Sequence, residues 1–249
     1  MPNPTACLVI IGNEILSGRT QDANLAFIAR ELGAIGIRMA EARVIPDDEA
    51  VIVATVNEVR RRHDYVFTTG GIGPTHDDIT AASIARAFGL KLTRHPEAER
   101  RLLAYYPPEK VNPARLKMAD TPEGATLIDN PVSVAPGFIV ENVHVLPGVP
   151  KIQQAMVEGL KGRLQGGDPV HARTIVCQAP EGTMAAALAA IQTAHPSIDI
   201  GSYPFMNVDR PGTSIVFRGT DLAVIGRAAA ALVAYTREAG IVTEDQGLS

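Results

Sequence analysis

Apolar residues change their spacing along the first ninety positions in a regular way. Residues 6–11 form an unbroken apolar run, as in a strand buried on both faces. Leu25, Ile28, Ala29 and Leu32 then recur at helical spacing, with Thr20 or Asp22 as a cap and Gly33 as a terminator. Residues 37–45 read as a second strand. Pro46-Asp47-Asp48 opens a helix with Ile52, Val56 and Val59 inward, and residues 65–68 make a third strand. A glycine loop leads into a helix carrying Ala81, Ile84, Ala85 and Phe88 on one face, which Gly89 should stop. Strand and helix alternating three times predict a parallel sheet with helices on both faces.

The alternation then breaks. Residues 95–106 and 112–119 predict two short helices split by Pro107-Pro108, an insertion or lid. Short strands are expected at 126–128, 137–140 and 144–146. Pro150 suits the first turn of a helix with Ile152, Met156 and Leu160 inward. The segment 162–168 (Gly-Arg-Leu-Gln-Gly-Gly-Asp) reads as a linker. Beyond it, strand 174–178, helix 183–194, strands 198–203 and 213–218 and helix 222–239 predict a small α+β domain with a mixed or antiparallel sheet. The expected domains are therefore 1–165 and 170–249. Asn207 and Asp209-Arg210 fall in an expected loop of the second.

Composition narrows the function classes. A net charge of −4 over 249 residues argues against nucleic acid or an anionic membrane as a partner held by bulk charge. Arg60-Arg-Arg62 ends a predicted helix, where cations suit the dipole. No apolar stretch nears the roughly 20 residues that span a bilayer, and the N-terminus lacks the regions of a signal peptide. Cys7 and Cys177, each in an apolar run, are expected as buried thiols in a reducing, cytoplasmic setting, not as a disulfide or metal pair. His63, His95, His144, His171 and His195 lack metal-ligand spacing.

Candidate chemistry concentrates in loops at expected strand C-termini, where open α/β sheets bind ligands. These are Gly12-Asn13-Glu14 with Ser17-Gly18, the stretch 70–80, and Pro147-Gly148-Val149-Pro150. Backbone amides at Gly70, Gly71 and Gly73, beside a helix N-terminus, suit phosphate. Asp77 and Asp78 would repel a bare phosphate, so a divalent cation bridging acid and anion is expected: Mg²⁺, or Mn²⁺ or Co²⁺. Asp78 and Asp77 are the expected metal ligands, and Gly12, Asn13, Glu14, Gly70, Gly71, Gly73, Thr75, Thr80 and Gly148 the expected substrate contacts. Glu14 would meet a ribose hydroxyl or the attacking water. An aspartate here can instead cap the helix, and capping accounts for one of Asp47 and Asp48. His76 can serve as an acid, a base or a phosphate donor, or stand in solvent. No Gly-x-Ser-x-Gly elbow and no Walker lysine is present.

The run Thr69-Gly-Gly-Ile-Gly-Pro-Thr-His-Asp-Asp-Ile-Thr80 resembles the signature of the molybdopterin-binding domain family, of MoaB/MogA-like fold. Its Gly-Gly-x-Gly-Pro-Thr-x-Asp-Asp form is similar to the branch at the N-terminus of CinA proteins. Ile11–Gly18, Asn130–Phe138, Leu146–Pro150, Gly201–Phe205 and Arg218–Asp221 extend the likeness over nearly the whole chain. The resemblance implies a three-layer α/β/α domain with a mostly parallel sheet, forming homo-oligomers, then a small α+β domain. It places the family's metal-binding, catalytic aspartates on Asp47 and Asp78. It implies either cleavage of ADP-ribose or a related pyrophosphate with a divalent metal, adenylyl transfer to molybdopterin, or non-catalytic binding of a pterin or nucleotide. The deamidase domain of full-length CinA finds no room before Ser249, so deamidation is not expected. Val132-Ser-Val-Ala135 lacks a glycine-threonine pair expected before Ala-Pro-Gly, which leaves the substrate open.

Overall fold

A computed structural model describes residues 3–207 and 210–248. The chain divides into two compact units, 1–167 and 168–249.

In the first unit, β1 (Thr5–Ile11) is followed by a single turn, α1 (Asn13–Leu16), and by α2 (Asn24–Gly33). Then come β2 (Arg38–Ile45), α3 (Glu49–Val59), β3 (Tyr65–Thr69) and α4 (Thr80–Phe88). The insertion comprises β4 (Leu92–Arg94), α5 (Pro96–Tyr105), a 3-10 turn at Pro108–Lys110, α6 (Pro113–Lys117) and β5 (Asp120–Pro122). The unit closes with β6 (Thr126–Ile128), β7 (Gly137–Val140), β8 (Val143–Leu146) and α7 (Pro150–Leu160).

The six-stranded sheet runs β2-β1-β3-β8-β7-β6. Its first four strands are parallel, and β7 and β6 add antiparallel to them. This is the expected three-layer α/β/α arrangement with a mostly parallel sheet. Chain order reverses beside β1: β2 lies on one side of it and β3 on the other. That reversal opens a crevice at the carboxyl edge between β1 and β3.

Alternate residues of β1 feed two cores. Cys7, Val9 and Ile11 pack with Ile52, Val56 and Ile84, while Ala6, Leu8 and Ile10 pack with Ile28, Leu32 and Met156. Phe67 is fully buried in the second core, where such a side chain contributes about 2 kcal/mol of hydrophobic stabilisation. Burial on both faces is why β1 lacks polar alternation.

Details correct the expectation. Helix α2 runs through Gly33, and the left-handed residue after it is Gly36 (φ 73°). The antiparallel β4/β5 pair, whose strands bracket α5 and α6, was not anticipated. Nor are residues 165–167 a free linker: Tyr65 donates its hydroxyl to the Gln165 carbonyl, and Gly167 donates its amide to the Ile35 carbonyl at 3.1 Å.

The second unit contains β9 (His171–Cys177), α8 (Glu181–Ala194), β10 (Asp199–Asn207), β11 (Arg210–Gly219), α9 (Leu222–Glu238) and β12 (Thr243–Leu248). Its sheet, β10-β11-β9-β12, is antiparallel throughout. Alanines on α9 and Met184 and Ile191 on α8 pack against it. Strand β12 was not expected, because Glu244-Asp245-Gln246 offers no apolar alternation. Asp209 lies outside the described residues. Both cysteines are free and buried. Among the described residues no helix is long and apolar enough to cross a membrane.

His144 sits in the sheet with its ring stacked on Phe67 at 5.0 Å, and burial depresses its pKa from 6.5 to about 4. The neutral ring is thus the native form, whereas the unfolded chain takes up a proton below pH 6.5. Stability present above that pH should fall as the pH drops toward 4, by roughly 3 kcal/mol in all. Urea unfolding across this window should show a shallower pH slope in His144→Leu than in the wild type; equal slopes would refute the assignment.

Candidate functional site

Three parallel strands deliver their C-termini to one edge, and the loops that leave them nearly touch. Gly70 has φ 102°, and a Cβ there would overlap the Ile11 carbonyl oxygen. A Cβ on Gly148 would lie 3.4 Å from the Gly70 Cα. Glycine at 70 is thus required twice, by its left-handed backbone and by its contact with β1.

The glycine loop is braced from within. Thr80 donates its hydroxyl to the Gly70 carbonyl at 3.0 Å and its amide to the Gly71 carbonyl at 2.9 Å. Gly71 also has positive φ (67°), and a Cβ on it would overlap the Thr80 hydroxyl. Ile72 and Ile79 pack against the core at either side of the segment between them.

Beyond the brace, Asp78 accepts through Oδ2 from the Thr75 amide at 2.7 Å and from the Thr75 hydroxyl. Among the described residues no hydrogen bond falls on its Oδ1. Lys117, from α6, donates to the Thr75 carbonyl at 2.8 Å. Asp77 is exposed, and its carboxyl is held below the usual range first by the Thr75 hydroxyl, with His76 and Lys117 adding to the shift.

The adjacent aspartates 47 and 48 divide their tasks. Asp48 is the N-cap of α3, accepting from the Val51 amide at 3.0 Å. Asp47 turns instead to the loop after β1 and accepts from the Asn13 amide through Oδ2 at 2.9 Å. The end of β2 therefore does point into the crevice beside β1. Glu14 is exposed there, with its carboxylate folded over Gly12.

Several expected contacts turn out to be positioning residues. Thr80 is wholly buried with its hydroxyl engaged, so it shapes the loop and cannot meet a ligand. Gly70 donates its amide to the Leu146 carbonyl at 3.1 Å, and Gly12 donates its amide to the Ile45 carbonyl at 3.1 Å. Neither amide is left for phosphate. The amides of Gly71, Ile72 and Gly73 have no hydrogen-bond partner among the described residues and stay available to a ligand. Gly148 uses its carbonyl to accept from the Asn24 side chain at 2.9 Å. His76 is almost fully exposed (97% of its side chain).

Sequence reasoning missed Lys117, Asn24 and Asp120. The first lies in a helix with no motif and reaches Thr75 across 42 positions. The second read as an ordinary helix start, yet it is buried and ties α2 to the loop at 148. The third sits with Asp78 and Lys117 in the wall of a cavity of about 60 Å³, otherwise apolar through Ile72, Met118 and Phe138. Ligand pockets run to roughly 300 Å³ or more, so this cavity by itself is too small to enclose a nucleotide.

Asp47 and Asp78 each keep Oδ1 clear of hydrogen bonds, and Mg²⁺ is commonly held by one or two carboxylates, with phosphate and water completing the octahedron. Hard carboxylate oxygens of this kind are the donor type such an ion takes.

Unbonded amides and acids gathered at a switch point mark the carboxyl edge of this α/β domain as its candidate ligand site. Comparison with known proteins carries this further. Residues 7–165 match the family described as the probable molybdopterin binding domain, and residues 169–245 match the middle domain of FAD synthase. A protein of Archaeoglobus fulgidus is 36% identical over 222 residues, 89% of this chain and 93% of its own length. A CinA-like protein of Desulfosudis oleivorans is 39% identical over 207 residues, 78% of this chain but 50% of its own length. The crystal structure of CinA from Thermoplasma acidophilum, of unknown function, aligns at 34% identity with a TM-score of 0.60, covering 64% of this chain and 98% of that one. The chain belongs to the molybdopterin-binding domain family, within its CinA-like branch.

The glycines separate structure from binding. Gly70→Ala should cost roughly 3 kcal/mol, from positive φ and overlap with backbone that cannot yield. Gly73→Ala meets only the movable Asp78 carboxylate, at 2.7 Å, and should leave stability within about 1 kcal/mol of wild type. Urea midpoints would measure both, and comparable losses would contradict the geometry.

Proposed function

We propose that the β1/β3 crevice binds the phosphates of a nucleotide or pterin phosphate and that, with a divalent cation, it hydrolyses a nucleoside diphosphate derivative of the ADP-ribose kind. One observation carries this reading. The unbonded amides of residues 71–73 lie in the same short loop as Asp78, and Asp47 is aimed into the same crevice. Such a mixture of donors and acids suits an anion together with its counter-cation. It suits neither alone.

In this reading the amides of Gly71, Ile72 and Gly73 hold one phosphate with fixed dipoles, already oriented by the Thr80 brace. The free oxygens of Asp47 and Asp78 hold the cation. When bound, it neutralises the anhydride's charge and polarises its phosphoryl oxygens. Asp77, kept ionised by its neighbours, strengthens the negative potential that draws the cation in. Glu14, at the crevice mouth, orients the attacking water or a ribose hydroxyl. Lys117, next to the loop, exchanges the Thr75 carbonyl for a phosphate oxygen as the ligand enters.

A transfer reading has one finding in its favour. The second unit matches a domain of FAD synthase, a name that denotes making an anhydride and not breaking one. Adenylyl transfer to molybdopterin would use the same crevice, and ATP consumed only in the presence of molybdopterin would distinguish it.

Purified protein incubated with ADP-ribose and Mg²⁺, Mn²⁺ or Co²⁺ should release AMP. Asp78→Asn should lower the rate by roughly 100-fold or more. Absence of AMP with every metal, or full activity in that variant, would remove hydrolysis, and calorimetry with ADP-ribose would then show whether binding survives. Asp48→Asn provides the contrast. Losing the cap charge should cost about 1 kcal/mol of stability or less and leave turnover unchanged.

A further inference from the structure

Away from the crevice, three side chains of different chemistry converge on the same sheet. Cys7 of β1, Glu41 of β2 and His63, from the turn between α3 and β3, each place one ligand atom within 4.8 Å of the others. Sequence spacing predicts no such group, because 34 and 22 positions separate its members. We infer that Cys7, Glu41 and His63 form a binding site for one thiophilic divalent cation, zinc in particular, with water in the fourth position.

The sheet is built to make this meeting. The β1/β2 register shifts between Ala6 and Cys7, so that Ala6 faces Met39 while Cys7 faces Glu41. An unshifted ladder would set Ala40 beside Cys7 and turn the Glu41 carboxylate to the opposite face. Bulges of this kind re-aim side chains. His63 supplies an independent sign. Its side chain is 8% exposed, Nε2 meets Glu41 Oε2 at 3.0 Å, and Nδ1 is buried without any partner. A buried imidazole nitrogen left unpaired is costly, and a metal-bound or metal-oriented ring is a common resolution.

The surroundings suit a metal's outer shell. Arg43 donates to the other Glu41 oxygen at 2.6 Å, fixing that carboxylate as a one-oxygen ligand. Arg43 and Arg62 both also pair with Glu58, which offsets their charge. Thiolate, imidazole and carboxylate together form a zinc-type donor set, softer than the oxygen-only set of the crevice. The thiol gives up its proton to solvent on binding. Cys7 lies four residues before the end of β1, roughly 13 Å from the crevice edge, so the ion would pin the edge strand β2 and the 60–64 turn and take no part in phosphate chemistry.

Full-length protein, stripped with a chelator and dialysed against limiting Zn²⁺, should retain one zinc per chain. Co²⁺ in its place should give a thiolate-to-metal charge-transfer band in the near ultraviolet. Cys7→Ser and His63→Gln should abolish both signals, and Cys177→Ser should keep them. Failure of the wild type to retain metal overturns the inference whatever the variants do, and so does a cobalt band that persists in Cys7→Ser. Neither readout depends on ADP-ribose turnover, so this site and the crevice stand or fall separately.

Discussion

A main-chain carbonyl, that of Ile11, occupies the space a side chain at position 70 would need. This contact between the ends of two parallel strands organises the rest of the crevice. It allows β3 to continue into a loop that stays against β1, and it sets Gly70 beside Gly148 at the end of β8. With three strand ends drawn together, residues 71–73 are turned so that their amides find no carbonyl among the described residues. Amides without a protein partner at this edge meet solvent or a ligand, and the carboxyl edge is where open α/β sheets bind ligands.

The acids follow the same economy of position. Asp47 and Asp48 are neighbours in sequence, yet one terminates a helix and the other crosses to a neighbouring loop. Asp78 combines two tasks in one carboxylate, bracing the turn with Oδ2 and leaving Oδ1 unbonded. Each acid is therefore partly structural and partly available. This explains why simple pattern reading finds capping and function equally plausible for them.

What the sequence makes legible here follows from period and punctuation. The strands and helices of residues 5–89 are visible because their apolar spacing is clean and Gly89, at φ 66°, ends α4 as a left-handed glycine should. The glycine loop declares itself by composition. The β4/β5 pair and β12 stay hidden because they are short or polar and are held by pairing, not by an apolar face. The roles of Thr80, Gly70 and Gly12 are misread from sequence for a related reason. A polar or glycine residue beside a ligand loop has the same identity whether it contacts the ligand or braces the loop, and only burial and bonded partners tell the two apart. Lys117 and the Cys7–Glu41–His63 group depend on contacts distant in sequence, beyond the reach of any local pattern.

The two isoleucines flanking the loop's acidic part have a mechanical effect. Ile72 and Ile79 are partly buried and pack against the core, so the arc between them is tethered at both feet and does not swing out as a flap. Any motion of this arc must be a flexing of the six residues between those anchors. Those six carry Asp77 and Asp78, while the amides of Gly71 and Ile72 stay with the rigid foot. The two carboxylates can thus adjust to a guest's size while the amides of Gly71 and Ile72 stay put.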